Sequence, residues 1–371
     1  MNKLSTQKTP AIRLRELDFL RGIAIILVML RHSDLSTYVK QLGWIGVDLF
    51  FVLSGFLVSG LLFKEYIKFG NIKPKLFLIR RGFKIYPIYF LSFAVYLGPV
   101  INTYGFDLEG LISDITFTQN YVRAFGYACS ITWSLAIEEH FYFLFTFFLW
   151  LGLKNNKNIL NPQLNKATKT KFETIIVAII MFVSIIRLFS NIIFPHETGR
   201  NFTMTHLRID SLLFGVLIAY FFYFKRTILE NFFQKTEFYL YFICIVGLVW
   251  TPFIDPFTSF FVRTLGFTLL FISFGIVLIT FLVKKNINST LNKLFSNLVV
   301  NTISKIGYCS YSIYIIHIFC QWLYFKLIPP INLYLDFALV STFSFIVGIA
   351  MTFTIEKYFL GIRDKYYPSR V

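Results

Sequence analysis

Long apolar runs separated by short, cation-rich connections set the pattern of this chain. Ten of them are long and apolar enough to cross a bilayer as helices: 17–38, 43–63, 82–100, 130–152, 174–193, 207–224, 237–253, 262–283, 307–326 and 332–356. The pattern predicts an all-α fold, a polytopic membrane helical bundle of about ten transmembrane helices. The connections give its orientation. Lys3, Lys8, Arg13 and Arg15 precede the first run, and the 64–84 connection is also basic. Lys154, Lys157, Lys166, Lys169 and Lys171 fall on the same side, followed by Lys225, Arg226, Lys235, Lys284, Lys285, Lys293 and Lys305. The opposite connections carry few cations and several acids, among them Asp107, Glu109 and Asp114. This asymmetry predicts cytoplasmic termini at both ends. A single membrane domain then covers 1–371, with a cytoplasmic N-terminal segment at 1–16, a cytoplasmic tail at 357–371 and no appended soluble domain.

Composition agrees. The chain is 56% hydrophobic and only 15% charged, against about 25% charged residues in soluble domains. Its formal charge of +17 would suggest nucleic acid in a soluble protein, but here the cations sit in loops between spans, where the positive-inside bias accounts for them. Cys129, Cys244, Cys309 and Cys320 have no metal-ligand spacing, three of them lie in apolar runs, and no metal site is expected. The first run follows a basic N-terminus as a signal peptide would. It has no small-x-small cleavage site and it holds internal charges, so it reads as a retained span.

Those internal charges are the most informative feature. Arg21, Arg31 and His32 lie inside the first run, where a central Arg costs about 2.5–3.5 kcal/mol on insertion scales. Arg21 and His32 are eleven residues apart; at about 100° per residue they share one helix face, roughly 16 Å apart. A guanidinium near one membrane surface and an imidazole deep in the span suit a long ligand with an anionic head and a reactive tail. The plainer alternative is a snorkelling Arg21 and a hydrogen-bonded core histidine.

Further ionisable groups fall at matching depths. The first two runs form a hairpin with its tip near Lys40, which places His32 and Asp48 at similar depth. Glu138 and His317 lie comparably far into their own spans, with Asp210 nearer the same surface, so these groups are candidates to converge. Ser134 and Glu138 are one turn apart on one face. Glu138 reads as an acid/base partner with Glu139 more peripheral, unless both are interfacial. The cations Arg80, Arg81 and Lys84, just before Pro87 at the start of the third span, read either as an anchor or as a phosphate site, since Arg forks suit phosphate oxygens. Gly55 and Ser59, four apart, read as a close helix contact.

Taken in order, these pieces resemble the acyltransferase family 3 integral membrane proteins, which O-acylate bacterial surface polysaccharides. Arg21 with ten residues before His32 matches the first-span signature, and Gly46-Val-Asp-Leu-Phe-Phe-Val-Leu-Ser-Gly-Phe56 the second-span motif. Arg81-Gly-Phe-Lys84 resembles the family's Arg-x-x-Arg, with Lys84 in place of the second Arg. Trp133-Ser-Leu-Ala-Ile-Glu138 matches Trp-Ser-Leu-x-x-Glu. Arg208-Ile-Asp210-Ser-Leu-Leu-Phe-Gly215 and Tyr311-Ser-Ile-Tyr-Ile-Ile-His317 resemble two later motifs. His140 stands where many relatives carry Gln.

The resemblance implies an enzyme of the bacterial inner membrane that moves an acyl group, most often acetyl, from cytosolic acyl-CoA to a hydroxyl of a surface glycan such as lipopolysaccharide O-antigen. Acetyl-CoA would be a co-substrate, with no tightly bound cofactor. The geometry is compatible: Arg21, Arg80, Arg81 and Lys84 would meet the CoA head group, and the thioester would reach His32. His32 would act as base, with Glu138 or Asp48 orienting its ring; a covalent acyl-histidine is the alternative. Trp133, Ser134, Asp210 and His317 are expected as acceptor or supporting residues. The rival class is a proton-coupled transporter or polysaccharide flippase, because intramembrane His, Glu and Asp also build proton relays. The repeated halves common in transporters are not visible. The partners expected are therefore acyl-CoA, a surface glycan or lipid-linked sugar as acceptor, and the lipid bilayer, with no nucleic acid.

Overall fold

The computed structural model describes residues 14–160 and 171–371. Lys3, Lys8, Arg13, Lys166 and Lys169, used above for orientation, lie outside the described residues. Among those described the fold is all-helical: α1 (Arg15–Arg31), α2 (Thr37–Gly43), α3 (Gly46–Phe69), α4 (Pro74–Tyr104), α5 (Leu108–Ile115), α6 (Gln119–Val122), α7 (Trp133–Asn155) and α8 (Phe172–Ile193). Then come α9 (Thr198–Thr203), α10 (Thr205–Phe224), α11 (Arg226–Leu248), α12 (Phe267–Val283), α13 (Ile287–Tyr308), α14 (Ser310–Leu327), α15 (Leu333–Met351) and α16 (Lys357–Tyr366). Among the described residues, seven helical stretches are long and apolar enough to cross a membrane, against the ten drawn from hydrophobicity. Most of each predicted run is nevertheless helical, and α13 lies where the pattern placed a connection.

Two boundaries differ from expectation for local reasons. The first span was drawn to residue 38, but α1 stops at Arg31. The amides of His32 and Ser33 turn back three residues, to Met29 and Leu30, and the Ser33 hydroxyl donates to the Leu30 carbonyl at 2.7 Å. A polar side chain competing for backbone partners tightens and ends the helix. Pro87 is not near a helix start. Pro74 occupies the first turn of α4, whose missing amide costs nothing there, and the helix runs through Pro87 and Pro99 to Tyr104.

Helix α3 is the centre of the bundle. It crosses α10 at Gly55 and Gly215, where a Cβ on Gly215 would stand only 3.0 Å from Gly55 Cα and one on Gly55 would meet the Leu212 carbonyl. The small pair therefore serves backbone approach, as expected of Gly55. Ser59 donates back to the Gly55 carbonyl at 2.6 Å, which leaves no orphan hydroxyl in the crossing. Helix α1 lies between α3, α13 and α14, while α4 packs on α7, α14 and α16. Helices α15 and α16 join through a π-helical turn at Thr352–Glu356. The far end folds back over the basic end of α4. Arg80 pairs with Asp364 at 3.1 Å, Lys84 with Glu356 at 2.8 Å, and Arg370 with Glu65.

Candidate functional site

Two cavities lie along one stripe of α14. Ser310, Tyr311 and Tyr314 line the first; His317, Gln321 and Phe325 line the second. Steps of three and four residues keep a single helix face, so the stripe covers roughly 22 Å. Helix α1 runs alongside, giving Arg21 to the first cavity and Met29 and His32 to the second. Arg21 and His32, expected on one face of one span, line different cavities, and His32 sits on the cap of α1 and not inside the span.

The first cavity, about 130 Å³, is lined by three cations, Arg21, Arg81 and Lys84, and by the carboxylate of Glu138. Arg81 and Lys84 share a face because they are three residues apart on α4. Arg80, one residue earlier, points about 100° away, and instead meets Asp364 and the Tyr367 carbonyl. The structure therefore does not bring Arg80 to this chamber. Lys84 is held at its rim by Glu356. Arg81 lies over the rings of Phe77 and Tyr142, at 5.6 and 5.7 Å. Glu138 Oε2 accepts from Ser54 Oγ at 3.0 Å and from the Tyr142 hydroxyl, and those two hydroxyls lie 3.0 Å apart. Ser134, Glu138 and Tyr142 are successive turns of one face of α7, as the Ser134–Glu138 spacing predicted. Glu139 is not peripheral: it is buried and accepts from the Tyr86 hydroxyl at 3.0 Å.

Tyr314 lines the first cavity and lies one helical turn before His317 of the second. Its hydroxyl donates to the Ile131 carbonyl at 2.8 Å and meets Ser134 Oγ at 2.6 Å. Its ring packs edge-on against Phe50 and lies 5.9 Å from the His317 ring.

The second cavity, about 280 Å³, contains the histidine pair. His317 Nε2 is 3.2 Å from His32 Nδ1. Each Nδ1 also faces a main-chain carbonyl: Val28 at 2.9 Å for His32 and Tyr314 at 2.7 Å for His317. Carbonyls only accept, so these partners assign the proton of each neutral ring to Nδ1. His317 Nε2 then accepts a share of the His32 Nδ1–H, and His32 Nε2 keeps its lone pair. Gln321 donates to the His32 carbonyl at 2.8 Å and so fixes the cap that carries the ring.

Three predicted site residues go elsewhere. Asp48 pairs with Arg208 at 2.7 Å, and Asp210 with Arg187 at 2.5 Å; all four side chains are at most 1% exposed. Trp133 packs edge-on against Phe51 and Phe202 beside Arg208. None of the three lines either cavity, and Asp48 does not reach His32. They form a neutral, aromatic-walled pair of ion pairs between α3, α8 and α10, the form in which buried charge is tolerated. Glu138 likewise lines the other chamber from His32, whose ring is held by His317. Sequence reasoning missed Ser54, Tyr142, Tyr314, Gln321 and Ser341. Tyr314 lies within the Tyr311–His317 stretch, but nothing in its spacing pointed to its contacts with Ser134 and Ile131.

The chain is 34% identical over 160 residues to the peptidoglycan O-acetyltransferase OatA of Listeria monocytogenes, covering 38% of this chain and 25% of that protein. A putative O-acetyltransferase of Staphylococcus aureus strain COL is 30% identical over 218 residues, covering 55% of this chain and 34% of its own. The putative peptidoglycan O-acetyltransferase YrhL of Bacillus subtilis is 33% identical over 156 residues, covering 37% and 24%. The matches thus span between about a quarter and a third of the relatives' lengths. No solved structure matches. The model of acyltransferase family 3, described as an acyltransferase domain, matches residues 14–357, and the chain belongs to that family.

Proposed function

We propose that this chain transfers an acetyl group from acyl-CoA to a hydroxyl of a cell-envelope glycan, with His32 as general base. The observation that supports this most is the stacking of a cationic chamber and a histidine chamber along one face of α14. On this reading the cation-rich side faces the cytosol. The first cavity is too small for a nucleotide, so the head group stays at its basic mouth and the slender thioester arm enters past Arg21, Arg81 and Lys84. The Ser54–Glu138–Tyr142 group offers partners to amides of that arm. Movement of the Tyr314 ring away from Ser134 and Ile131 would join the chambers.

The acceptor hydroxyl occupies the second cavity. His32 Nε2 takes its proton as the oxygen attacks the thioester carbonyl; the C–O bond forms, the C–S bond breaks, and the proton goes to the departing thiolate, giving free CoA thiol. The transient imidazolium keeps its Nδ1–H on Val28 and His317, so His317 does the orienting work that a carboxylate does in hydrolase triads. Peptidoglycan appears in the names of two relatives, which favours a cell-wall glycan over lipopolysaccharide O-antigen.

The test is transfer of radiolabelled acetyl from acetyl-CoA in membranes carrying the wild type or His32→Ala. The variant should insert and accumulate normally and lose transfer, since a general base contributes about 10²–10⁴-fold. Undiminished transfer by that variant rules the assignment out. Proton-driven uptake into vesicles without acyl transfer would favour a transporter or flippase.

A further inference from the structure

An open groove of about 600 Å³ runs between α4 and α7 on the outside of the bundle. Arg81 lies over the Tyr142 ring and Tyr86 reaches Glu139, so the two helices run antiparallel. That places the Pro74–Lys75 end of α4 at the Trp150 end of α7. Apart from Lys75, every side chain lining the groove is apolar. Phe143, Leu144 and Phe147 remain 49%, 45% and 51% exposed. Both helices are long and apolar enough to cross a membrane, so lipid is the solvent of this face. From Trp150 to Phe143 the groove follows roughly 10 Å of helix, most of the depth of a leaflet about 15 Å thick.

One end of the groove is chemically distinct. Lys75 lines it, and Lys154, one turn past Trp150, holds its Nζ 5.5 Å from the Trp150 ring. Both lysines are exposed, and among the described residues neither pairs with a carboxylate. Tryptophan beside lysine marks the headgroup level of a bilayer. Two uncompensated cations above an apolar slot complement a negative head on an apolar chain. An apolar helix of another protein would fill the slot and leave both cations unanswered. From slot and charges together we infer that this groove is a binding site for an anionic phospholipid of the leaflet at the basic connections. Its phosphate lies between Lys75 and Lys154, and one acyl chain runs past Trp150 and Phe147 to Phe143. On their inner sides the same helices carry Arg81 and Tyr142, 5.7 Å apart at the cationic cavity, so the bound lipid braces that pair from outside. The site does not depend on the acyl-transfer reading.

The full chain is placed in phosphatidylcholine nanodiscs that carry a small, varied fraction of dibrominated phosphatidylglycerol or dibrominated phosphatidylcholine. Bromine quenches indole fluorescence on contact, and the difference between wild type and Trp150→Phe isolates Trp150 among the five tryptophans. For the wild type, half-maximal quenching of Trp150 should need about 25-fold less phosphatidylglycerol than phosphatidylcholine, since each lysine at the membrane surface favours anionic lipid about fivefold. Lys75→Gln and Lys154→Gln should each lower that ratio about fivefold, and together bring it close to equality. Lys64→Gln, on α3 where the cation lies over Tyr223, should leave it unchanged. Equal quenching by the two lipids in wild type, a ratio untouched by both lysine variants, or an equal fall with Lys64→Gln would overturn the inference. So would an unquenched Trp150, which would mean that protein and not lipid covers the groove.

Discussion

Asp48→Ala separates folding from chemistry at a residue whose sequence context suggested catalysis. Removing the carboxylate leaves Arg208 fully buried without the partner now 2.7 Å away. The guanidinium keeps the Phe202 carbonyl at 3.0 Å and the face of Phe267 at 3.6 Å, but the four-residue cluster goes from balanced to a net positive charge. Unit charges about 4 Å apart attract by about 4 kcal/mol at an effective dielectric near 20, and orphaning one member of a buried pair costs about 3–5 kcal/mol. The retained contacts place this site near the lower value. The double variant Asp48→Leu with Arg208→Met removes the charge and its desolvation cost together, and should recover most of the loss. The assay is thermal unfolding in detergent alongside acyl transfer per folded molecule. The single variant should be poorly folded, with the surviving fraction active. An Asp48→Ala protein as stable as wild type yet inactive would refute this reasoning and return Asp48 to the chemistry.

His317→Ala should lower kcat by about 10²-fold with little change in KM for the donor, and should shift the pH profile of transfer, because the Nδ1–H of His32 loses one of its two acceptors and keeps only the Val28 carbonyl; an unchanged profile would contradict the positioning role. Gly55→Val should drive α3 from α10, seen as loss of folded yield, since even a Cβ there meets the Leu212 carbonyl; normal yield would mean that the crossing is looser than described. Asp114, outside the spans, is buried with its carboxylate accepting from Tyr127 and Ala128 amides at 3.1 and 2.7 Å, and burial pushes its pKa up to about 6 despite them. The folded state therefore binds this proton more tightly than the unfolded chain, whose carboxyl titrates near 4. The stability it contributes is present below about pH 4 and lost as pH rises through about 6, by about 3 kcal/mol. Unfolding midpoints from pH 4 to 7, wild type minus Asp114→Asn, should show that fall; a flat difference would contradict it.

The apolar runs were sufficient to read a helical membrane bundle, because satisfying every backbone group in lipid leaves few other solutions. Spacing within a helix was equally legible: Arg81 with Lys84, and Ser134 with Glu138, share faces as expected. Pairings across the bundle were not. Depth from a loop tip places Asp48 level with His32, but the partner it meets, Arg208, is 160 residues later, and no periodicity relates them. The end of α1 at Arg31 depends on one serine hydroxyl, below the resolution of a hydropathy pattern. Ser341 carries no charge and belongs to no quoted motif, so only the fold brings it beside the histidines.

The return of the final residues onto the end of α3 has a practical consequence. Arg370 clasps Glu65 and Asn71, and Lys68 binds the Arg370 carbonyl at 3.2 Å, so this extremity is mortared into the basic face of the bundle. A purification handle or fluorescent reporter fused directly after Val371 would pull on that joint, and with it on the placement of Lys84 at the chamber rim, whereas a flexible spacer would leave the joint intact.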